Sequence, residues 1–137
     1  MQITANWNGK RSFTAEVPSG FPIKMDTNEQ YGGEGKGNTP LEMLLSALAG
    51  CIGIDVTMIL KPYLDQITNI RIEVNGKRGE EPPKPLTDIE VVFIVDGNIE
   101  AKKVWRAIHL GKEKYCVVSA SLAADVTFKL ILNGQVS

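Results

Sequence analysis

Two cysteines, Cys51 and Cys116, are the residues of this chain best suited to chemistry as a pair. A thiol becomes a nucleophile only as its thiolate. A thiolate that meets an oxidant becomes a sulfenic acid, which a second thiol condenses with to give a disulfide. The two cysteines lie sixty-five positions apart, so spacing alone leaves open whether they meet. If they do, Cys51 attacks, Cys116 resolves the sulfenic acid, and an external thiol reduces the disulfide by exchange. The plain alternative is that both are buried, since cysteine also packs as a small apolar residue. No Cys-x-x-Cys motif and no Cys/His pair at ligand spacing is present, and His109 is the one histidine. A structural zinc site needs four ligands, so neither a metal nor an organic cofactor is expected.

Activation of Cys51 needs help from elsewhere. Burial in apolar surroundings raises a thiol pKa, and Cys51 stands about three turns into a helix, where the dipole at the N-terminus has faded. A cation must come from another element. Arg11 follows the first hairpin turn, with Arg71, Arg78 and Arg106 as alternatives. A guanidinium stays charged at any working pH and can hold a thiolate and a peroxide oxygen in one fork, although each of these arginines is equally readable as a solvated surface charge. Gly50 and Gly53 flank Cys51. Glycine within a helix costs about 1 kcal/mol against alanine, so the pair serves either close helix packing or room for a substrate beside the sulfur.

The elements that must position these groups follow from periodicity. Ile3, Ala5 and Trp7 alternate, Asn8-Gly9 makes a hairpin turn, and Phe13, Ala15 and Val17 alternate on the return. Further strands are expected at Phe21–Met25, Ile70–Val74, Ile89–Val95 and Val126–Leu132, with helices from about Pro40 to Lys61 and from about Glu100 to Lys112. A short helical turn is expected at Ser119–Ala123. The order β-β-β-α-β-β-α-β predicts an α+β fold with a mostly antiparallel sheet, as a single domain over residues 1–137. Thr39-Pro40-Leu41-Glu42 has the form of a capping box opening the first helix. Beyond it the helix is apolar nearly all round, which predicts protein on every side of it and therefore a second subunit, a homodimer.

Composition narrows the function classes. Hydrophobic residues make up 43% and charged residues 23%, which is ordinary globular usage, and a net charge of -1 with mixed signs argues against a nucleic-acid or membrane-surface binder. The uncharged apolar run between Glu42 and Asp55 is too short to span a bilayer, and the start of the chain lacks the pattern of a signal peptide. A cytoplasmic location is expected.

The segment from Thr39 through Gly50-Cys51-Ile52-Gly53-Ile54-Asp55-Val56, followed by Lys114-Tyr115-Cys116-Val117-Val118-Ser119, resembles the osmotically inducible protein C and organic hydroperoxide resistance superfamily. The likeness covers essentially the whole chain, including the N-terminal hairpin and Val74-Asn75-Gly76-Lys77-Arg78. It implies an intertwined α+β homodimer with the cysteine-bearing helices at its centre. It also implies reduction of organic hydroperoxides, with Cys51 as the peroxidatic residue, Cys116 as the resolving residue, Arg11 as the activating cation and an external dithiol as reductant. One position departs from the pattern. The studied peroxidases carry a glutamate directly after the helix-opening proline, where this chain has Leu41, and its acid comes one residue later at Glu42. One residue turns a helix by about 100°, so Glu42 suits the capping box and not the family's acid position. The match is to the less characterised branch. Against the thiol peroxidase stands a second expectation, a binding protein or redox sensor holding a small apolar ligand in a dimer-interface cavity.

Other features carry less. Gly32-Gly33-Glu34-Gly35-Lys36-Gly37-Asn38 precedes a helix but lacks the lysine of a phosphate loop, and reads as a flexible loop or lid. Asp55, four residues after Cys51, shares its helix face and is expected to pair with a donor from another element. His109 reads as a surface residue, and Trp7, Tyr31 and Tyr115 are possible walls of an apolar pocket.

Overall fold

A computed structural model describes all residues, Met1–Ser137. The chain forms two compact units, Met1–Leu44 and Leu45–Ser137. The first holds β1 (Thr4–Gly9), β2 (Ser12–Glu16) and β3 (Ile23–Met25), joined in that order as an antiparallel sheet. Trp7 pairs with Phe13 across the first hairpin. Both rings are largely exposed, as is Phe21.

The Gly-rich stretch that follows, expected to be a loop or lid, makes backbone hydrogen bonds to Asp26. Asp26, 3% exposed, accepts hydrogen bonds from the backbone N–H groups of Thr27, Glu34 and Lys36 at 2.7, 3.2 and 3.1 Å. A β-carbon at Gly33 would collide with the Thr27 carbonyl, and one at Gly37 would come within 2.8 Å of the Lys24 carbonyl oxygen. These glycines serve close backbone approach.

Helix α1 (Pro40–Ile59) starts in the first unit and continues into the second. Its capping box forms as the sequence predicts: the Thr39 N–H donates to Glu42 Oε1 at 2.8 Å, and the Glu42 N–H to Thr39 Oγ1 at 3.3 Å. The helix ends two residues before the expected Lys61, and a 3-10 turn over Lys61–Gln66, with Pro62 near its start, carries the chain into the next strand.

The second unit is a four-stranded sheet in the order β4 (Ile67–Arg78), β5 (Leu86–Gly97), β6 (Asp125–Leu132), β7 (Gln135–Val136). All pairings are antiparallel except β5 with β6. A parallel pair requires a long crossover, which α2 (Ala101–Leu110), a π-helical turn (Gly111–Tyr115) and α3 (Val117–Ala120) provide. The α+β class and the element order follow the periodicity, with α3 as the short helical turn and β7 added. The core lies on one face of the sheet. Ile89, Val91, Phe93 and Val95 of β5 are all buried, as the strand period of two requires. They meet Leu48, Ile52 and Val56 of α1, Val104, Ala107 and Ile108 of α2, and Leu130 of β6. Each large side chain so buried contributes about 1.5–3 kcal/mol.

In one chain the burial of α1 is confined to the Leu48, Ile52, Val56 stripe. Ile54 is 62% and Met58 69% exposed. Taken whole, α1 has 20 residues and a mean hydropathy of 1.6, so by length and composition it could cross a membrane, although the uncharged run inside it is too short. The difference arises because the helix extends beyond Glu42 and Asp55, the charges that bound the uncharged run. The packed stripe marks it as the core helix of the second unit.

Candidate functional site

Cys51, Asp55 and Cys116 converge in the second unit, with the two sulfurs and a carboxylate oxygen all within 4.8 Å of one another. Cys51 and Asp55 stand four residues apart on α1, one helical turn above the other. Cys116 arrives from the far side of the crossover. The π-helical turn closes with the Cys116 N–H on the Gly111 carbonyl at 2.7 Å, and Cys116 becomes the N-cap of α3. Its sulfur accepts from the Ser119 N–H at 3.4 Å, the place a serine or aspartate oxygen usually fills. The helical turn expected at Ser119–Ala123 thus begins two residues earlier, at Val117, and its cap is the second cysteine.

Both thiols are free, Cys51 half-buried and Cys116 buried at 2% exposure. Desolvation pushes the Cys51 thiol above its ordinary pKa, a backbone hydrogen bond from Val118 pulls it down, and a hydrogen bond to Cys116 and the charges of Cys116 and Asp55 add to the rise. The balance is upward. The groups packed against Cys51 in its own unit therefore favour the neutral thiol, as expected for a sulfur in apolar surroundings beside an acid.

Asp55 does not find the donor expected for it. Its Oδ2 is buried and accepts no hydrogen bond, and it forms no ion pair within this chain. The two glycines beside Cys51 separate in role. A β-carbon at Gly53 would come within 2.9 Å of Ile72 Cδ1, so Gly53 lets α1 press against β4, whereas nothing lies within 4 Å of that point at Gly50. Close packing explains one, and open space surrounds the other. Next to the sulfurs, Asp55, Met58, Ile59 and Tyr115 line a cleft of about 280 Å³. Tyr115 is the pocket-lining aromatic, while Trp7 hydrogen-bonds the Lys10 carbonyl in the first hairpin.

Arg11 belongs to the N-terminal unit. It is exposed, its Nη1 donates to the Lys10 carbonyl at 3.4 Å, and it makes no ion pair. Its guanidinium lies against Gly32, where a β-carbon would come within 3.5 Å of Nε. With Phe13, Met25, Thr27 and Pro40 it lines a cleft of about 350 Å³. His109 is on the surface as expected, stacked on Trp105 with ring centroids 5.4 Å apart.

The family model described as OsmC-like protein matches residues 33–131, which span α1 and both cysteines. The chain belongs to the OsmC-like protein family. The YhfA protein of Escherichia coli K12 is 37% identical over 127 residues, 92% of each chain. A hypothetical protein of Aquifex aeolicus VF5 is 29% identical in its crystal structure, with a TM-score of 0.82 over 96% of this chain and 94% of that one. An organic hydroperoxide resistance protein of Elizabethkingia anophelis shares the OsmC-like fold, with a TM-score of 0.67 over 95% and 92% of the two chains at 13% identity.

The third group at the sulfurs, Asp55, and the Val118 N–H are the features that sequence patterns missed as parts of a site. The spacing Cys-x-x-x-Asp was the available signal for the first. For the second there was none, because cysteine is a weak acceptor and does not mark an N-cap.

Proposed function

We propose that this OsmC-like protein is a thiol-dependent peroxidase for organic hydroperoxides. The observation that carries the reading is the meeting of two free thiols, one accessible and one buried, from distant parts of the chain. The Cys51 thiolate attacks a peroxide oxygen and breaks the O–O bond. The leaving alkoxide takes a proton and departs as the alcohol. Cys51 is left as a sulfenic acid, and the Cys116 sulfur displaces its oxygen as water, forming the disulfide. An external dithiol is oxidised in turn and restores both thiols.

Apolar walls at Met58, Ile59 and Tyr115 suit an alkyl or aryl hydroperoxide better than hydrogen peroxide. The Val118 N–H offers one stabilising contact to the thiolate, and the activating charge is assigned to Arg11. Two chains form the working unit, with residues 1–137 acting as one domain in each, and the exposed Ile54 and Met58 of α1 support burial against a second copy. A cytoplasmic setting, where thiols are kept reduced, suits two free cysteines. The Elizabethkingia relative's role in hydroperoxide resistance agrees with this reading.

A second reading, a non-peroxidase protein that binds a small apolar ligand or senses redox state slowly, is favoured by two observations. The Cys51 thiol is pushed upward, and Leu41 stands where an acid would pair with the activating arginine. One experiment separates the two: counting free thiols on the denatured protein before and after one equivalent of cumene hydroperoxide. The peroxidase takes the count rapidly from two to none, and Cys51→Ser abolishes the reaction. Persistence of both thiols rejects the peroxidase in favour of the binding protein.

A further inference from the structure

We infer that Cys51, Cys116 and Asp55 form a three-ligand site for a borderline-soft divalent cation such as zinc. The inference concerns the same residues as the peroxidase reading but does not rest on it, because metal binding requires no peroxide and no oxidation.

Three observations carry it. The first is geometry. The two sulfurs and a carboxylate oxygen lie within 4.8 Å of one another. Tetrahedral zinc, with bonds of about 2.3 Å to sulfur and about 2.0–2.2 Å to oxygen, sets its ligand atoms roughly 3.5–3.8 Å apart. The second is the unmet need of Asp55. Its Oδ2 is buried without a donor, and a buried carboxylate is ordinarily paired or bound to a metal. None of the ion pairs of this chain involves it. The third is the chemistry of the donors. Two thiolates and one carboxylate suit zinc, whereas magnesium and calcium select oxygen ligands throughout.

A dication deprotonates a coordinating thiol outright. Binding converts two S–H groups into two metal–sulfur bonds and releases two protons. Three protein ligands leave the fourth position open to water or another ligand. Cys51 is half-buried, and Asp55 lines a cleft together with Met58, Ile59 and Tyr115. Metal and disulfide exclude each other, so the bound cation holds both thiols reduced and out of reach of an oxidant.

The test is a titration of the reduced full-length protein with cobalt(II) under anaerobic conditions. One cobalt per chain is expected, with a thiolate-to-cobalt charge-transfer band and release of two protons. Cys51→Ser and Cys116→Ser should each remove that two-thiolate band, and Asp55→Asn should weaken binding roughly tenfold or more. A measurement on the unaltered protein guards against variants that fail to fold: zinc should protect both thiols from alkylation, and a chelator should restore their reactivity. Absence of the band at excess cobalt, unaltered alkylation in zinc, or wild-type affinity in a folded Asp55→Asn protein each overturns the site. Cobalt binding by a protein that consumes no hydroperoxide supports the site and rejects the peroxidase alone.

Discussion

Asp26 and Asp55 each carry a carboxylate oxygen into the protein interior, and only the first is met by donors. Around Asp26 three backbone N–H groups of the Gly-rich loop converge, and their hydrogen bonds hold its carboxyl below the ordinary range. Around Asp55 stand two thiols and apolar side chains, and Oδ2 accepts nothing. A satisfied buried carboxylate organises structure, because removing it strands its donors. An unsatisfied one costs stability in the folded chain, and its persistence points to a cation or donor that arrives from outside. The first region is finished by its own backbone, and the second is built to be completed.

The widest separation between these regions is chemical. Cys51→Ser should eliminate hydroperoxide consumption in an assay driven by an external dithiol. Cys116→Ser should permit one oxidation and then halt at a sulfenic acid, detectable by a trapping nucleophile. Continued turnover in Cys51→Ser would deny the second region its special role.

Stability divides the two carboxylates next. Asp26→Asn replaces two charged acceptor oxygens by one neutral one, so at least one loop N–H loses its partner and the unfolding midpoint should fall clearly in calorimetry. The same substitution at Asp55 removes a charge without breaking any hydrogen bond of this chain, and should leave the midpoint unchanged or higher. Equal falls would erase the contrast.

Reactivity gives a smaller effect of opposite sense. The Asp55 charge helps to raise the Cys51 pKa, so Asp55→Asn should increase the rate of Cys51 alkylation a few-fold at mildly alkaline pH. An unchanged rate would separate the carboxylate from the sulfur electrostatically.

The pH dependence sharpens the contrast from both ends. The Asp26 pKa is lowered from 3.8 in the fold, so its contribution is present above that value and is lost as pH falls through the lower folded pKa. The Cys51 pKa is raised from 9.0, so its contribution is complete below 9.0 and is lost as pH rises through the higher folded value. Asp26→Asn should flatten the acid limb of a stability profile, and Cys51→Ser the alkaline limb. The smallest effect belongs to His109→Ala, a surface change expected within about 0.5 kcal/mol of wild-type stability, read from denaturant unfolding.

Much of the fold was legible in short-range pattern. Ile89, Val91, Phe93 and Val95 alternate as a half-buried strand must, and they are the core of the sheet. Thr39 and Glu42 form the capping box their spacing requires. The close backbone approach at Gly33 and Gly37 was not legible because glycine permits two outcomes, mobility or close packing. Only the approach of Asp26, Thr27 and Lys24 selects the second. The partner expected for Asp55 is missing for a similar reason: shared helix faces follow from sequence, but donors come from other elements.

The sequence by itself determined the chemistry on offer, two thiols and an acid one helical turn from the first, together with the strand and helix periods that build an α+β unit. Those properties depend on residue type and on neighbours within a few positions. Tertiary structure alone decided that Cys116 caps α3 beside Cys51, that Gly53 packs while Gly50 lies open, and that a carboxylate oxygen is buried without a donor. Each of these depends on where distant elements meet in space, β4 against Gly53 and the long crossover from β5 beside Cys51, which positions near in sequence do not encode.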